Sequence, residues 1–127
     1  DSSLFEKFGE VYFSLIKKGA IKAWKRHKRM TQNLAIPCGE IKLIIFDDRP
    51  ESPTQNHLQE IRTGIHQYGL IQIPSGIWYG FQGIGSEGSP DSLIVNCATL
   101  PHDPAETERL PFDTSAIPYQ WSYETVR

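Results

Sequence analysis

Nowhere in its 127 residues does this chain sustain a helical period. It breaks into short runs rich in Ile, Val, Phe, Tyr and Trp, separated by glycine, proline and polar punctuation. The runs at Val11–Ile16, Ala20–Trp24, Asn33–Pro37, Ile41–Phe46, His57–Arg62, Leu70–Ile73, Trp78–Gln82 and Ser92–Ala98 read as strands. "PCGEI" (Pro37 to Ile41) reads as a tight turn, and "DDRPESPTQN" and "GSEGSPD" as exposed loops. Only "DPAETERL" (Asp103 to Leu110) reads as a short helix, with Asp103 as N-cap and Pro104 in the first turn. Many short strands joined by turns imply an all-β sandwich or jelly-roll barrel. The length suits one domain over residues 1–127, enough for one core and too little for two.

Composition narrows the partners. A hydrophobic fraction of 39%, a charged fraction of 22% and a net charge of -2 describe an ordinary globular chain. Seven of the thirteen lysines and arginines fall between Lys17 and Arg29. That run reads either as a solvated face or as a surface that meets an anionic ligand such as a diphosphate. Nucleic acid is not the expected partner, because the overall charge is near balance and no nucleic-acid motif is present. No apolar run approaches the roughly 18 to 20 residues that span a bilayer, so no membrane partner is expected. The opening "DSSLFEKFGE" has no apolar h-region, and the start on Asp1 reads as a trimmed N-terminus. The two cysteines, Cys38 and Cys97, read as free and buried in a cytoplasmic protein.

One spacing carries more information. Gly19 is followed by five residues, then Lys25-Arg26-His27, four residues, Gln32, six residues and Gly39. Further on, Pro74-Ser75-Gly76 is followed by two residues and Tyr79. This resembles the two motifs of cupin barrels, with glycines and prolines at the turns and metal ligands between. Side chains alternate along a strand, so positions 25 and 27 share the face turned into the barrel, while Trp24 and Arg26 face out. The four ligand positions hold Lys25, His27, Gln32 and Tyr79. An ammonium has no lone pair to donate, an amide is a weak donor and tyrosine is a rare ligand. One histidine falls short of the roughly three good ligands a catalytic metal needs. The expectation is a pocket with no metal and no cofactor.

From about Gly9 to Trp121 the chain resembles the dTDP-4-dehydrorhamnose 3,5-epimerase family of sugar-nucleotide cupins. The runs "KAWKRHKRMTQNLAI", "GEIKLIIFDDR", "LIQIPSGIWYGF", "NCATLPHDP" and "IPYQW" carry the resemblance. It implies a metal-free homodimeric jelly roll that epimerises a 4-keto nucleotide sugar by removing protons next to the ketone. The family's arginine-glycine-x-histidine falls on Lys22-Ala23-Trp24-Lys25, so its basic histidine is a lysine here. Its lysine before the Gly-Glu turn falls near Gln32. Its catalytic tyrosine has no match between Val95 and Pro101, and its N-terminal nucleotide-gripping arginine has none in "DSSLFEKFGEVYF".

On this footing His27 is the expected base, Asp113 its acidic partner and Tyr79 the proton donor. Lys22, Lys25, Gln32 and Trp78 are expected to bind substrate. His57, His66 and His102 are assigned no role. The alternative reading is a non-catalytic cupin that binds a sugar or another small ligand, with a 3,4-ketoisomerase as a third option on the same fold.

Overall fold

The computed structural model describes residues 2–122. Among the described residues nine strands follow one another: β1 (Glu10–Ile16), β2 (Ile21–His27), β3 (Gln32–Cys38), β4 (Glu40–Phe46) and β5 (Leu58–Gly64), then β6 (Ile71–Ile73), β7 (Trp78–Ile84), β8 (Ser92–Ala98) and β9 (Thr107–Arg109). They form two antiparallel sheets, one of four strands in the order β1-β8-β3-β6 and one of five in the order β5-β4-β7-β2-β9. This is the jelly-roll arrangement, and all eight strands read from the sequence are present with ends within three residues of those expected, the largest difference being β2, which runs on to His27.

The turn read from "PCGEI" is also there. Gly39 joins β3 to β4 at φ +77, and a Cβ on it would come within 2.4 Å of Ser92 Oγ. Both the backbone conformation and the close approach therefore require glycine at this position.

The main core fills the space between the sheets. It holds Ile16, Leu34, Ile36, Ile41, Leu43, Ile73 and Ile94, all nearly inaccessible to solvent. A second cluster lies on the outer face of the five-stranded sheet, where Trp24, Ile44, Phe46 and Trp78 pack with Ile117, Leu110, Tyr119 and Trp121. The segment after β9 crosses this outer face and covers it. That explains the nearly unbroken apolar run of β4. Ile41 and Leu43 point into the main core, while Ile44 and Phe46 point into the second cluster, so the strand is buried on both sides. Gly80 on β7 makes the cover possible: a Cβ there would lie 2.5 Å from Ala23 Cβ and 2.9 Å from the Trp121 ring.

Two sequence readings are corrected. The segment Asp103–Leu110 is not a helix. Asp103 does cap a turn, accepting from the Ala105 N–H at 3.0 Å, but that turn is a single 3-10 one over Pro104–Glu106. The chain then extends as β9, pairing Thr107 with His27, Glu108 with Arg26 and Arg109 with Lys25. Pairing with β2 supplies the backbone partners that a longer helix would have supplied internally, and it sets Glu108 against Arg26 in an ion pair of 2.8 Å. The cysteines are free but not buried, since Cys97 is exposed and Cys38 only half-covered.

Trp24 anchors the outer cluster. It is 1% exposed, its Nε1–H donates to Phe112 O at 3.2 Å, and its ring lies 5.2 Å from that of Trp121. Trp24→Ala is expected to cost about 3–5 kcal/mol, measured by urea unfolding, because it empties a large volume that the segment after β9 cannot fill.

Candidate functional site

Between the two sheets lies a cavity of about 240 Å³ that opens at one end of the sandwich. One wall is the five-stranded sheet, contributing Lys25 and His27 from β2, Tyr79 and Phe81 from β7, and Thr107 and Arg109 from β9. The facing wall is the four-stranded sheet, with Tyr12 and Ser14 from β1, Gln32 and Leu34 from β3, and Ile94 and Asn96 from β8. Met30 and His102 line it from loops. Strand alternation alone puts these side chains inside. The even-numbered positions of β1, β3 and β8 face those of Lys25 and His27, as the pairing of Lys25 with Tyr79 and of Tyr12 with Asn96 requires.

His27 is the most constrained group in the cavity. Its Nδ1 lies 3.1 Å from Glu106 Oε2 and its Nε2 lies 3.0 Å from the Tyr79 hydroxyl. The Thr107 hydroxyl is a further neighbour of Nδ1, at 3.3 Å. Glu106 is 4% exposed, and its second oxygen accepts from the backbone N–H groups of Arg29 and of Met30, the latter at 2.6 Å. Burial pushes the Glu106 carboxyl upward, but these two N–H groups and His27 outweigh it and leave the pKa below the usual value. An ionised carboxylate can only accept, so Nδ1 carries the hydrogen and Nε2 is left with the lone pair, facing the Tyr79 O–H. Burial lowers the His27 pKa below 6.5 and outweighs the opposing pull of Glu106. The imidazole is therefore neutral near pH 7, with its basic nitrogen at the cavity.

Two cations complete the wall. Lys25 and Arg109 pair across β2 and β9 and both reach the cavity. Among the described residues neither has an ion-pair partner. Burial, then Arg109 and Lys22, hold the Lys25 pKa below its ordinary value. Opposite them, the Asn96 side-chain amide donates to Gln32 Oε1 at 3.1 Å, which fixes two polar groups on the facing wall. No group of three or more His, Cys, Asp or Glu side chains able to hold a metal ion occurs among the described residues.

Of the residues singled out from the sequence, the structure brings His27, Tyr79, Lys25 and Gln32 together in this cavity. Three others lie elsewhere. Asp113 is exposed in the segment that crosses the outer face of the five-stranded sheet, where it lines a shallow groove with Phe112 and Trp121. The carboxylate at His27 is Glu106 instead, drawn inward because the 3-10 turn stops after three residues. Lys22 precedes a register shift in β2 and donates from Nζ to Leu15 O at 3.0 Å, away from the cavity lining. Trp78 is buried on the outer face, its Nε1–H donating to Asp48 at 3.0 Å and its ring lying 4.4 Å beneath the Arg26 guanidinium. Glu106, Arg109 and Tyr12 were not singled out. The first two sit in the stretch read as a helix, and nothing local marks Tyr12 apart from other strand tyrosines.

No family model matches the chain. It is 38% identical over 116 residues to the probable low-salt glycan biosynthesis epimerase Agl13 of Haloferax volcanii, a match that covers 89% of this chain and 72% of that protein. Among solved structures it is similar to the dTDP sugar isomerase from Desulfovibrio desulfuricans G20. That superposition has a TM-score of 0.90 and 42% identity, and covers 95% of this chain and 76% of the other. The dTDP-4-dehydrorhamnose 3,5-epimerase from Bacillus anthracis, with TDP and PPi bound, shares the fold at a TM-score of 0.83 and 16% identity over 98% of this chain and 71% of that one.

The arrangement makes Glu106 a sensitive position. A glutamine there cannot accept from two backbone N–H groups and from Nδ1–H at once, so Glu106→Gln should cost about 1–3 kcal/mol in denaturant unfolding. Any activity that depends on His27 as a base should fall by roughly 10²- to 10⁴-fold in the same variant. In the wild type, kcat/KM should fall on acidification through a midpoint below 6.5, because protonation removes the Nε2 lone pair. Without the carboxylate that midpoint moves further to acid.

Proposed function

Because this chain belongs to the dTDP-4-dehydrorhamnose 3,5-epimerase family of sugar-nucleotide cupins, we propose that it is an epimerase or isomerase acting on a 4-keto nucleotide sugar. The observation that supports this reading most is the ordered series Glu106–His27–Tyr79 beside two unneutralised cations. A proton next to a ketone is acidic only if a base is aligned with it and the resulting enolate is stabilised. His27 Nε2 takes the proton, displacing the Tyr79 hydroxyl as substrate enters. Glu106 holds the ring in the right tautomer and stabilises the imidazolium that forms. Lys25 and Arg109 face the enolate oxygen and the diphosphate. The cavity is small beside the roughly 300–1,000 Å³ of typical ligand sites. It suits the sugar ring, and leaves the nucleotide at the mouth.

Epimerisation and keto-isomerisation share this first step, which handles protons and calls for no metal or cofactor. The residues through which it runs stand as proposals, and Asp113 is not among them. We further propose a cytoplasmic homodimer. Alternate residues of β1 point outward from the four-stranded sheet, and Phe13 and Leu15 are each 69% exposed beside Val95 and Leu93 of β8. A contiguous apolar face on an edge strand is what a second copy would cover.

Two measurements check this. With a dTDP-linked 4-keto-6-deoxy sugar in deuterium oxide containing EDTA, the protein should introduce deuterium next to the ketone, and His27→Asn should abolish it. Absence of label with the wild type would return the chain to the binding-only reading. In light scattering after gel filtration, the wild type should run at twice its 14.4 kDa mass. Replacing Phe13 and Leu15 together with Glu should shift it to the monomer mass.

A further inference from the structure

Epimerisation asks for more than proton removal. One proton must leave one face of the carbon, and another must arrive on the opposite face. The sheet geometry decides which groups can do the second task. His27 projects from β2 of the five-stranded sheet, and Tyr79 projects from the adjacent β7 of that same sheet. Their rings stack at 5.8 Å, with the Tyr79 hydroxyl against Nε2. Tyr79 therefore projects from the base's side of the cavity, and its hydroxyl is already engaged by His27 and by Gln32.

The facing wall offers Tyr12, Ser14, Gln32, Leu34, Ile94 and Asn96. The amides are not proton donors to carbon, and a serine hydroxyl is a weaker acid than a phenol. His102 is the other titratable side chain on this side. Its ring packs edge-on against Tyr12 at 6.2 Å, and its backbone N–H is held by Glu10 at 3.0 Å. The Tyr12 hydroxyl is buried at this wall of the cavity, with the Glu10 carboxylate as its hydrogen-bonding neighbour. That places a phenol on the wall opposite the base, where it can meet the far face of a ring held between the sheets.

We propose that Tyr12 is the acid that completes epimerisation, delivering its proton to the face of the enolate carbon turned away from His27. This rests on the epimerase reading above. In the first step the C–H bond breaks toward His27 Nε2, and its electron pair moves into the enolate. In the second, the enolate pair takes the proton of the Tyr12 O–H, leaving a phenolate and restoring the C=O. His27 then loses its proton to solvent and Tyr12 regains one, so no redox partner is needed. Burial first, and then the nearby Glu10 carboxylate, raise the Tyr12 pKa, which keeps the phenol loaded with its proton between turnovers.

The test is Tyr12→Phe, assayed with the same dTDP-linked 4-keto-6-deoxy sugar in deuterium oxide. Deuterium should still enter next to the ketone at close to the wild-type rate, with the original configuration retained. The epimerised product should fall by roughly 100-fold or more. The thermal midpoint should fall only slightly, since the variant removes one hydroxyl and its hydrogen bond to Glu10. Tyr79→Phe acts through His27 and should slow exchange and inversion together. Inversion at the wild-type rate in Tyr12→Phe overturns the assignment, as does a folded Tyr12→Phe that has lost exchange as well. Exchange without inversion in Tyr79→Phe instead would move the role to Tyr79. A wild type that neither exchanges nor inverts fails at the earlier step, and refutes the epimerase reading itself.

Discussion

A single buried carboxylate organises this site. Glu106 accepts from the backbone N–H groups of Arg29 and Met30, which ties down the turn leaving β2, and its other oxygen fixes the ring of His27. A charge this far from water is tolerated only when every lone pair has a donor. Here the donors are two backbone amides and an imidazole, so the penalty of burial is met by the same contacts that set the tautomer. The position of β9, the path from β2 to β3 and the basicity of Nε2 all follow from it.

The second organising feature is that β2 and β7 serve two separate purposes on their two faces. Lys25, His27 and Tyr79 look into the cavity, while Trp24 and Trp78 look outward into the cluster closed by Ile117, Tyr119 and Trp121. The outer cluster holds the strand rigid from behind. A cavity wall must keep polar groups incompletely satisfied to receive a ligand, and such a wall is held in place only by packing elsewhere. Arg26 belongs to the outer side as well, bridging Asp48 and Glu108 at 2.9 and 2.8 Å over the Trp78 ring. Of the seven basic residues from Lys17 to Arg29, six lie outside the cavity lining. Lys25 is its clearest contribution to the cavity.

How much could be read in advance differs from element to element. The strands were legible because β-branched and aromatic residues alternate between glycine and proline breaks, and that pattern is local. The inward direction of Lys25 and His27 was legible because the period of a strand is two. The segment from Asp103 was misread because its first four residues do carry a helix-start signal, and they do make one turn. What ends that turn is pairing with β2, a partner about eighty positions away. Asp113 was expected beside His27 because the family resemblance sets its acidic partner there. Its placement depends on the course of the chain over the outer face, which in turn depends on Gly80 leaving room for Trp121.

The sequence by itself determined the all-β class, the strand order along the chain, the tight turn at Gly39 and the presence of one histidine facing inward without a set of metal ligands. These are consequences of local geometry and residue chemistry. Only the tertiary structure decided that Glu106 rather than Asp113 meets His27, that Arg109 joins Lys25, and that Tyr12 and Tyr79 stand on opposite walls. Each of these pairs residues from strands far apart in the chain. Which strands become neighbours is set by burial of the whole core, and no short stretch contains that information.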